Sequence, residues 1–295
     1  MRPRSLLFVP ADSERKLTRA LSSSADALIL DLQDGVAPMA KAQARANARA
    51  TLQSAAGASR PQLWVRINAL ATPEAPLDVA ATVPAKPFGK PFGKPFGLVV
   101  PMVEHPAELV RLSETLRRLE SESSEPGEEV RLMALLETPR AILNVPQYLT
   151  VALPRLVGII FGAEDLSAAL GLQSMRAADG DWCAPLQSAR AQCLLLARAL
   201  GIDAIEAITA QFKDTALLRA DCARAAAAGF TGKLAIHPDQ LEIINALFTP
   251  TEAALAQARR VVAAFEAQPG AGALALDGAL IDAVHLRAAQ RLLGG

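Results

Sequence analysis

Histidine and cysteine are scarce: the 295 residues hold three of each, and aromatic residues make up only 4%. Cys183, Cys193 and Cys222 form no C-x-x-C pair and are odd in number, which argues against a disulfide framework and fits a reducing compartment. A zinc site built from Cys and His is not expected. Net charge is absent as well, because thirty acids balance thirty bases. No charge excess therefore points to nucleic acid or to a membrane surface. No stretch approaches the roughly 18 consecutive apolar residues of a membrane span. The apolar run Leu6 to Val9 is too short for a signal peptide, and Pro10, Asp12, Glu14 and Arg15 follow it at once. The expectation is a soluble cytoplasmic protein. No GxGxxG follows the first apolar run, so a dinucleotide fold lacks its fingerprint.

Hydrophobic residues, at 51%, are enough for one large core or for one domain with an appendage. They fall into eight short runs: SLLFVP (5–10), ALILDL (27–32), LWVRIN (63–68), GLVVPM (97–102), RLMALLE (131–137), LVGIIFG (156–162), GIDAIEA (201–207) and GKLAIHP (232–238). Such runs suit strands buried on both faces. The stretches between them are rich in Ala, Leu and Arg, which are good helix formers. Eight strands alternating with helices predict a parallel (β/α)8 TIM barrel, with a doubly wound open sheet as the runner-up. The barrel is expected over residues 1–248 and a C-terminal helical tail over 249–295. In that tail, TPTE reads as a capping box with Thr249 as the cap and Pro250 at the first helical position. The Gly- and Ala-rich PGAGALALDGALID reads as a mobile link or a short hairpin. The tandem KPFGKPFGKPFG (86–97) reads as an expanded surface loop, or else as a basic-aromatic patch.

Barrel chemistry sits at the C-terminal ends of strands. Those ends carry Asp31 and Asp34, Arg66 and Asn68, Met102 and Glu104, Glu137, Glu164 and Asp165, Glu206 and His237. Glu137 and Asp165 would end neighbouring strands, about 4.8 Å apart, close enough to share a magnesium-type cation that takes only oxygen ligands. Capping of the following helices is the competing role for each acid. Thr138 and Pro139 read as N-cap and first residue of the next helix. Arg66 interrupts an apolar strand. It holds a substrate carboxylate or carbonyl with its planar fork, makes a structural ion pair with Asp34 or Glu137, or does each in turn. His237 reads as a loop-shaping histidine or a polar ligand contact. His105 and His285 receive no role, and Cys183 beside Trp182 reads as packing.

The stretches RSLLFVPADSERKLTRAL, ADALILDLQDGVAP, WVRIN, LVVPMVE, LLETPRAILN, GIIFGAEDLSAALG, GFTGKLAIHPDQLEIINALFTPT and LDGALIDAVHLRAAQRLL span nearly the whole chain. Together they resemble the citrate lyase β-subunit-like proteins of the HpcH/HpaI aldolase superfamily. The resemblance implies a (β/α)8 barrel in trimers or hexamers, with Mg2+ as cofactor. The implied reaction is carbon–carbon cleavage, or its reverse, of a citryl, malyl or citramalyl thioester. It places Glu137 and Asp165 as metal ligands and Arg66 as the arginine that contacts substrate. Ala163 and Glu164, beside Asp165, are the further substrate contacts, and Asp34 is a further catalytic residue. An acidic residue of the tail, here Asp282, is implied to cover a neighbouring subunit's site and to protonate the enolate. Arg4, Arg15 and Lys16 are candidates for the phosphates of CoA, with a solvated helix face as the alternative. Gln33 and Met102 depart from the pattern, where Glu and Lys often stand. Three further readings stand beside the stand-alone lyase: a citrate lyase subunit acting on citryl-carrier protein, a non-catalytic barrel, and a free pyruvate aldolase. The last typically needs an early histidine base, and none precedes His105.

Overall fold

The structure, a computed structural model, describes residues 2–54, 61–83, 97–121 and 129–294. Each of the eight apolar runs contributes a strand. They are β1 (Ser5–Pro10), β2 (Ala27–Asp31), β3 (Gln62–Arg66), β4 (Gly97–Val100), β5 (Arg131–Leu136), β6 (Leu156–Phe161), β7 (Asp203–Glu206) and β8 (Gly232–Ala235). All pair in parallel in chain order, and β8 closes onto β1. Closure leaves no sheet edge, so the open doubly wound sheet is not the arrangement adopted.

Alternation along each strand divides the core. Leu6, Ile29, Trp64, Val99, Met133, Leu135, Ile160, Ile205 and Leu234 form one cluster that fills the barrel interior. Their neighbours, such as Leu28, Leu30, Val65, Leu98 and Val100, join a larger cluster that seats the surrounding helices. Each such side chain contributes about 1.5–3 kcal/mol on burial. Trp64 takes the space beside Gly97, where an added Cβ would lie 2.2 Å from its ring. Gly97 is the last residue of the KPFG tandem; residues 86–96 of that tandem lie outside the described residues.

The chain divides into two compact units, Met1–Phe248 and Thr249–Gly295. In the second unit the helix Glu252–Ala267 is capped by Thr251, whose hydroxyl accepts from the Ala254 N–H. The cap expected at Thr249 therefore falls two residues later and leaves Pro250 outside the helix. Both threonines are competent caps, and the later one sets Glu252 in the first turn, at the positive end of the helix dipole. The segment that follows is a hairpin, β9 (Ala273–Leu276) and β10 (Ala279–Asp282). Asp277 (φ 53°) and Gly278 (φ 76°) form its tip, the two positive φ angles that a tight hairpin turn requires. Helix, hairpin and the last helix, Ala283–Leu292, share a small core of Ala258, Val261, Leu274, Ile281 and Ala289. Among the described residues no helix is long and apolar enough to cross a membrane.

Candidate active site

Asp31 and Arg66 are the last residues of β2 and β3, and the strand register sets them side by side. Arg66 donates through Nε to Asp31 Oδ1 at 2.7 Å and through Nη2 to Oδ2 at 2.8 Å. The same two oxygens accept the N–H groups of Gln33 and Gly35, each at 2.9 Å. Asp31 is thus fully occupied, and it is the buried partner that Arg66 needs. Burial works against the Arg66 charge, but the hydrogen bonds and charge of Asp31 more than offset it and raise the guanidinium pKa. Asp34 Oδ2 lies 3.4 Å from Arg66 Nη1, and the guanidinium stacks over the Phe8 ring at 4.7 Å. Asp31 takes the Nε–H and one Nη2 hydrogen, so the Nη1 side, shared with Asp34, is the one that can meet a ligand oxygen.

Behind this pair the loop after β2 is tied down. Lys41 Nζ donates to the carbonyls of Leu32 and Gln33, each at 2.6 Å, and to Asn68 Oδ1 at 2.9 Å. Asn68 in turn donates from its backbone and its amide to buried Asp78. A lysine that spends all three donors this way is a brace for the loop that carries Asp34.

Glu137 follows β5 and Asp165 follows β6. Neither is the cap of its helix. Thr138 caps Pro139–Leu143, accepting from the Ala141 N–H at 3.1 Å with Pro139 in the first position. Gly162 is the cap position of Ala163–Ala169. Glu137, only 3% exposed, accepts the Met102 N–H at 2.9 Å and neighbours the Asp165 carboxyl. Burial, with the Asp165 charge next, pushes the Glu137 carboxyl up to about 8. Gly162 makes the room: a Cβ there would meet Glu137 Cβ at 2.4 Å and Oε2 at 2.9 Å. Met102 reaches Glu137 from a left-handed backbone, φ 54°, a basin that costs a non-glycine residue about 1–2 kcal/mol.

The carboxyls influence one another. Asp34 is raised by burial, with Arg66 opposing and the charges of Asp165 and Asp31 adding. Glu164, on the same helix as Asp165, is raised by partial desolvation and then by the Asp165 charge. Acids thus outnumber the cations facing them, and a divalent cation would relieve the excess. Among the described residues no group of three or more His, Cys, Asp or Glu is gathered to hold a metal. Two neighbouring carboxylates suit magnesium, which takes oxygen ligands and keeps much of its own hydration, so the chemistry of the residues present fits that ion.

The other candidates are placed as follows. Ala163 is buried beneath Glu164 and Asp165 at the helix start. Arg15 and Lys16 are exposed in the first turn of the helix Glu14–Leu21, after β1. Arg4 precedes β1 and so stands at the opposite barrel face, where it forks onto Asp26 at 2.7 and 3.0 Å. Of the three candidates for the CoA phosphates, Arg4 is therefore set apart from Arg15 and Lys16, because a residue before a parallel strand lies at the N-terminal face. His237 caps the turn Pro238–Gln240 and stacks on Phe212 at 4.6 Å. Asp282, in the second unit, caps its helix by accepting from Val284 and His285 N–H, and the His285 ring lies 2.8 Å from Oδ1. That histidine, followed by the two amides, holds the Asp282 carboxyl below its usual range. Sequence reasoning placed Asp31 on the rim but named Asp34 or Glu137 as the partner of Arg66, and it missed Lys41 and Gly162.

The HpcH/HpaI aldolase/citrate lyase family matches residues 4–238. The chain belongs to this family. It is 34% identical to a (3S)-malyl-CoA thioesterase of Cereibacter sphaeroides, over 98% of this chain and 93% of that one. It is 30% identical to the mitochondrial citramalyl-CoA lyase of Rattus norvegicus, over 98% and 85% of the two chains. Among solved structures it resembles the CitE protein of Mycobacterium tuberculosis in complex with magnesium, acetoacetate and coenzyme A. That likeness has a TM-score of 0.76 at 30% identity and covers 99% and 97% of the two chains.

Proposed function

We propose that this chain is a magnesium-dependent lyase that cleaves, or in reverse forms, the carbon–carbon bond of a 3-hydroxyacyl-CoA thioester of the malyl or citramalyl class. The observation that carries the reading is the buried Glu137 carboxyl set beside Asp165, the first directly after β5 and the second in the first turn of the helix that follows the adjacent strand β6. Magnesium held by these two carboxylates would polarise the hydroxyl and carboxylate oxygens of the substrate as a Lewis acid. Arg66, anchored by Asp31, offers its remaining N–H groups to the thioester oxygen. As the substrate hydroxyl loses its proton, the adjacent carbon–carbon bond breaks and its electron pair passes to the thioester fragment as an enolate. The other fragment leaves as an α-keto acid. Arg66 steadies the enolate oxygen. Asp34, beside Arg66 and open to solvent, takes up the hydroxyl proton. Asp282, from the tail of the same or a neighbouring chain, supplies a proton to the enolate carbon. Arg15 and Lys16 are the proposed contacts for the CoA phosphates; Arg4 is not among them. A trimer or hexamer would let one tail serve another barrel.

A second reading, thioester hydrolysis, is favoured by the likeness to the malyl-CoA thioesterase. One assay separates the two. Purified protein with Mg2+ is given malyl-, citramalyl- and citryl-CoA, and α-keto acid and free thiol are followed together. Cleavage gives keto acid with the thioester intact; hydrolysis gives thiol. Loss with EDTA and recovery with Mg2+ are expected. Failure to turn over any of the three would overturn the stand-alone enzyme, and turnover of only carrier-bound citryl would identify a complex subunit.

A further inference from the structure

Met102 is the one residue of the barrel unit other than glycine with a positive φ among the described residues, at 54°. Packing does not account for it. The side chain is 38% exposed, whereas its neighbour Val103 is fully buried. Nor does chain reversal demand it, since glycine would serve a plain turn without strain. What the conformation delivers is an N–H aimed at Glu137 Oε1, 2.9 Å away. That bond crosses from the loop after β4 to the end of β5, 35 residues along the chain. On its other side the same carboxylate is fitted against Gly162, where no Cβ could stand. Glu137 is therefore gripped from two sides. Strained backbone that survives at a buried polar group marks function more often than accident.

We infer that Met102 is a positioning residue: its left-handed backbone, and not its side chain, orients the Glu137 carboxylate for the cation. The inference rests on the magnesium reading above. A methionine can adopt this basin because its Cβ is unbranched, whereas a β-branched residue would be driven out of it. Replacement should thus sort by tolerance of the left-handed region and not by size or polarity.

The test is Mg2+ binding by calorimetry on the full, chelator-treated chain, with circular dichroism and thermal unfolding run beside it. Met102→Gly and Met102→Asn, both at home at positive φ, should bind within about twofold of wild type. Met102→Val should bind about tenfold more weakly, as when a residue orienting a metal ligand is lost, and Met102→Ala should fall between. Equal binding by Val, Gly and wild type would overturn the inference, as would weak binding by both Gly and Asn, which would assign the work to the side chain. Should Val not fold, the order of Gly, Asn and Ala decides the matter. A wild type that binds no Mg2+ would instead defeat the magnesium reading itself, and with it this inference.

Discussion

Asp31→Asn is the sharpest perturbation of the site's foundation. The substitution keeps the volume, so it opens no cavity. It removes the charge that faces Arg66 and exchanges one acceptor for a donor. Turned one way, the new amide points hydrogens at Arg66 Nε and the Gln33 N–H; turned the other, at Arg66 Nη2 and the Gly35 N–H. No rotamer satisfies both sides. Arg66 is only 12% exposed and Asp31 only 4%, so the charge left behind is not rescued by water. Breaking a buried pair from one side costs about 3–5 kcal/mol. Asp34, 3.4 Å from Nη1, offsets part of this, and the low end, about 3 kcal/mol, is expected. At about 2–4 °C per kcal/mol for a unit of this size, the barrel's melting point should fall by about 6–12 °C. Urea titration and calorimetry measure it. Adding Arg66→Met to the same chain should recover part of the loss, because the stranded charge goes with it. A loss under about 1 kcal/mol for Asp31→Asn would mean that Arg66 is solvated or paired elsewhere, and the account of the anchor would be wrong.

Three further outcomes are expected. Gly162→Ala forces a methyl into Glu137 and should destabilise the barrel by about 1–3 kcal/mol, with Mg2+ binding weakened in the same variant; unaltered Mg2+ binding would contradict the packed pair. Lys41→Met removes three donors from the loop carrying Asp34 and should cost about 1.5–3 kcal/mol and raise KM; a KM equal to wild type would show that the brace does not reach the site. Asp282→Ala should keep Mg2+ binding and lose turnover, and turnover at the wild-type rate would remove Asp282 from the reaction.

The barrel is legible in the sequence because its strands are buried on both faces, which writes each one as a short unbroken apolar run. The Glu137–Asp165 pairing is legible for a related reason: Glu137 directly follows one such run, Asp165 stands four residues after the next strand ends, and consecutive runs become adjacent strands. The partner of Arg66 is not legible. Asp31 and Asp34 stand three residues apart, and only the register between β2 and β3 decides which one faces the guanidinium. That register is set by barrel closure and not by local residues. The signal existed in a weaker form, since Asp31 and Arg66 are each the last residue of their strand. Met102 is invisible for another reason: nothing about a methionine after a proline announces a left-handed backbone, and the cause, the Glu137 carboxylate, is 35 residues away. The slip from Thr249 to Thr251 reflects two equivalent caps two residues apart, which local chemistry cannot rank. Arg4 is near Arg15 and Lys16 in sequence, yet the length of β1 separates them in the fold.

The most direct test of the account is a Mg2+ titration of chelator-treated wild type, Glu137→Gln and Asp165→Asn. Wild type should show one saturable site per chain and a higher melting point with Mg2+ than without. Both variants should remain folded and lose that site. Variants that bind Mg2+ as tightly as wild type would place the cation elsewhere and contradict the pair as its holder.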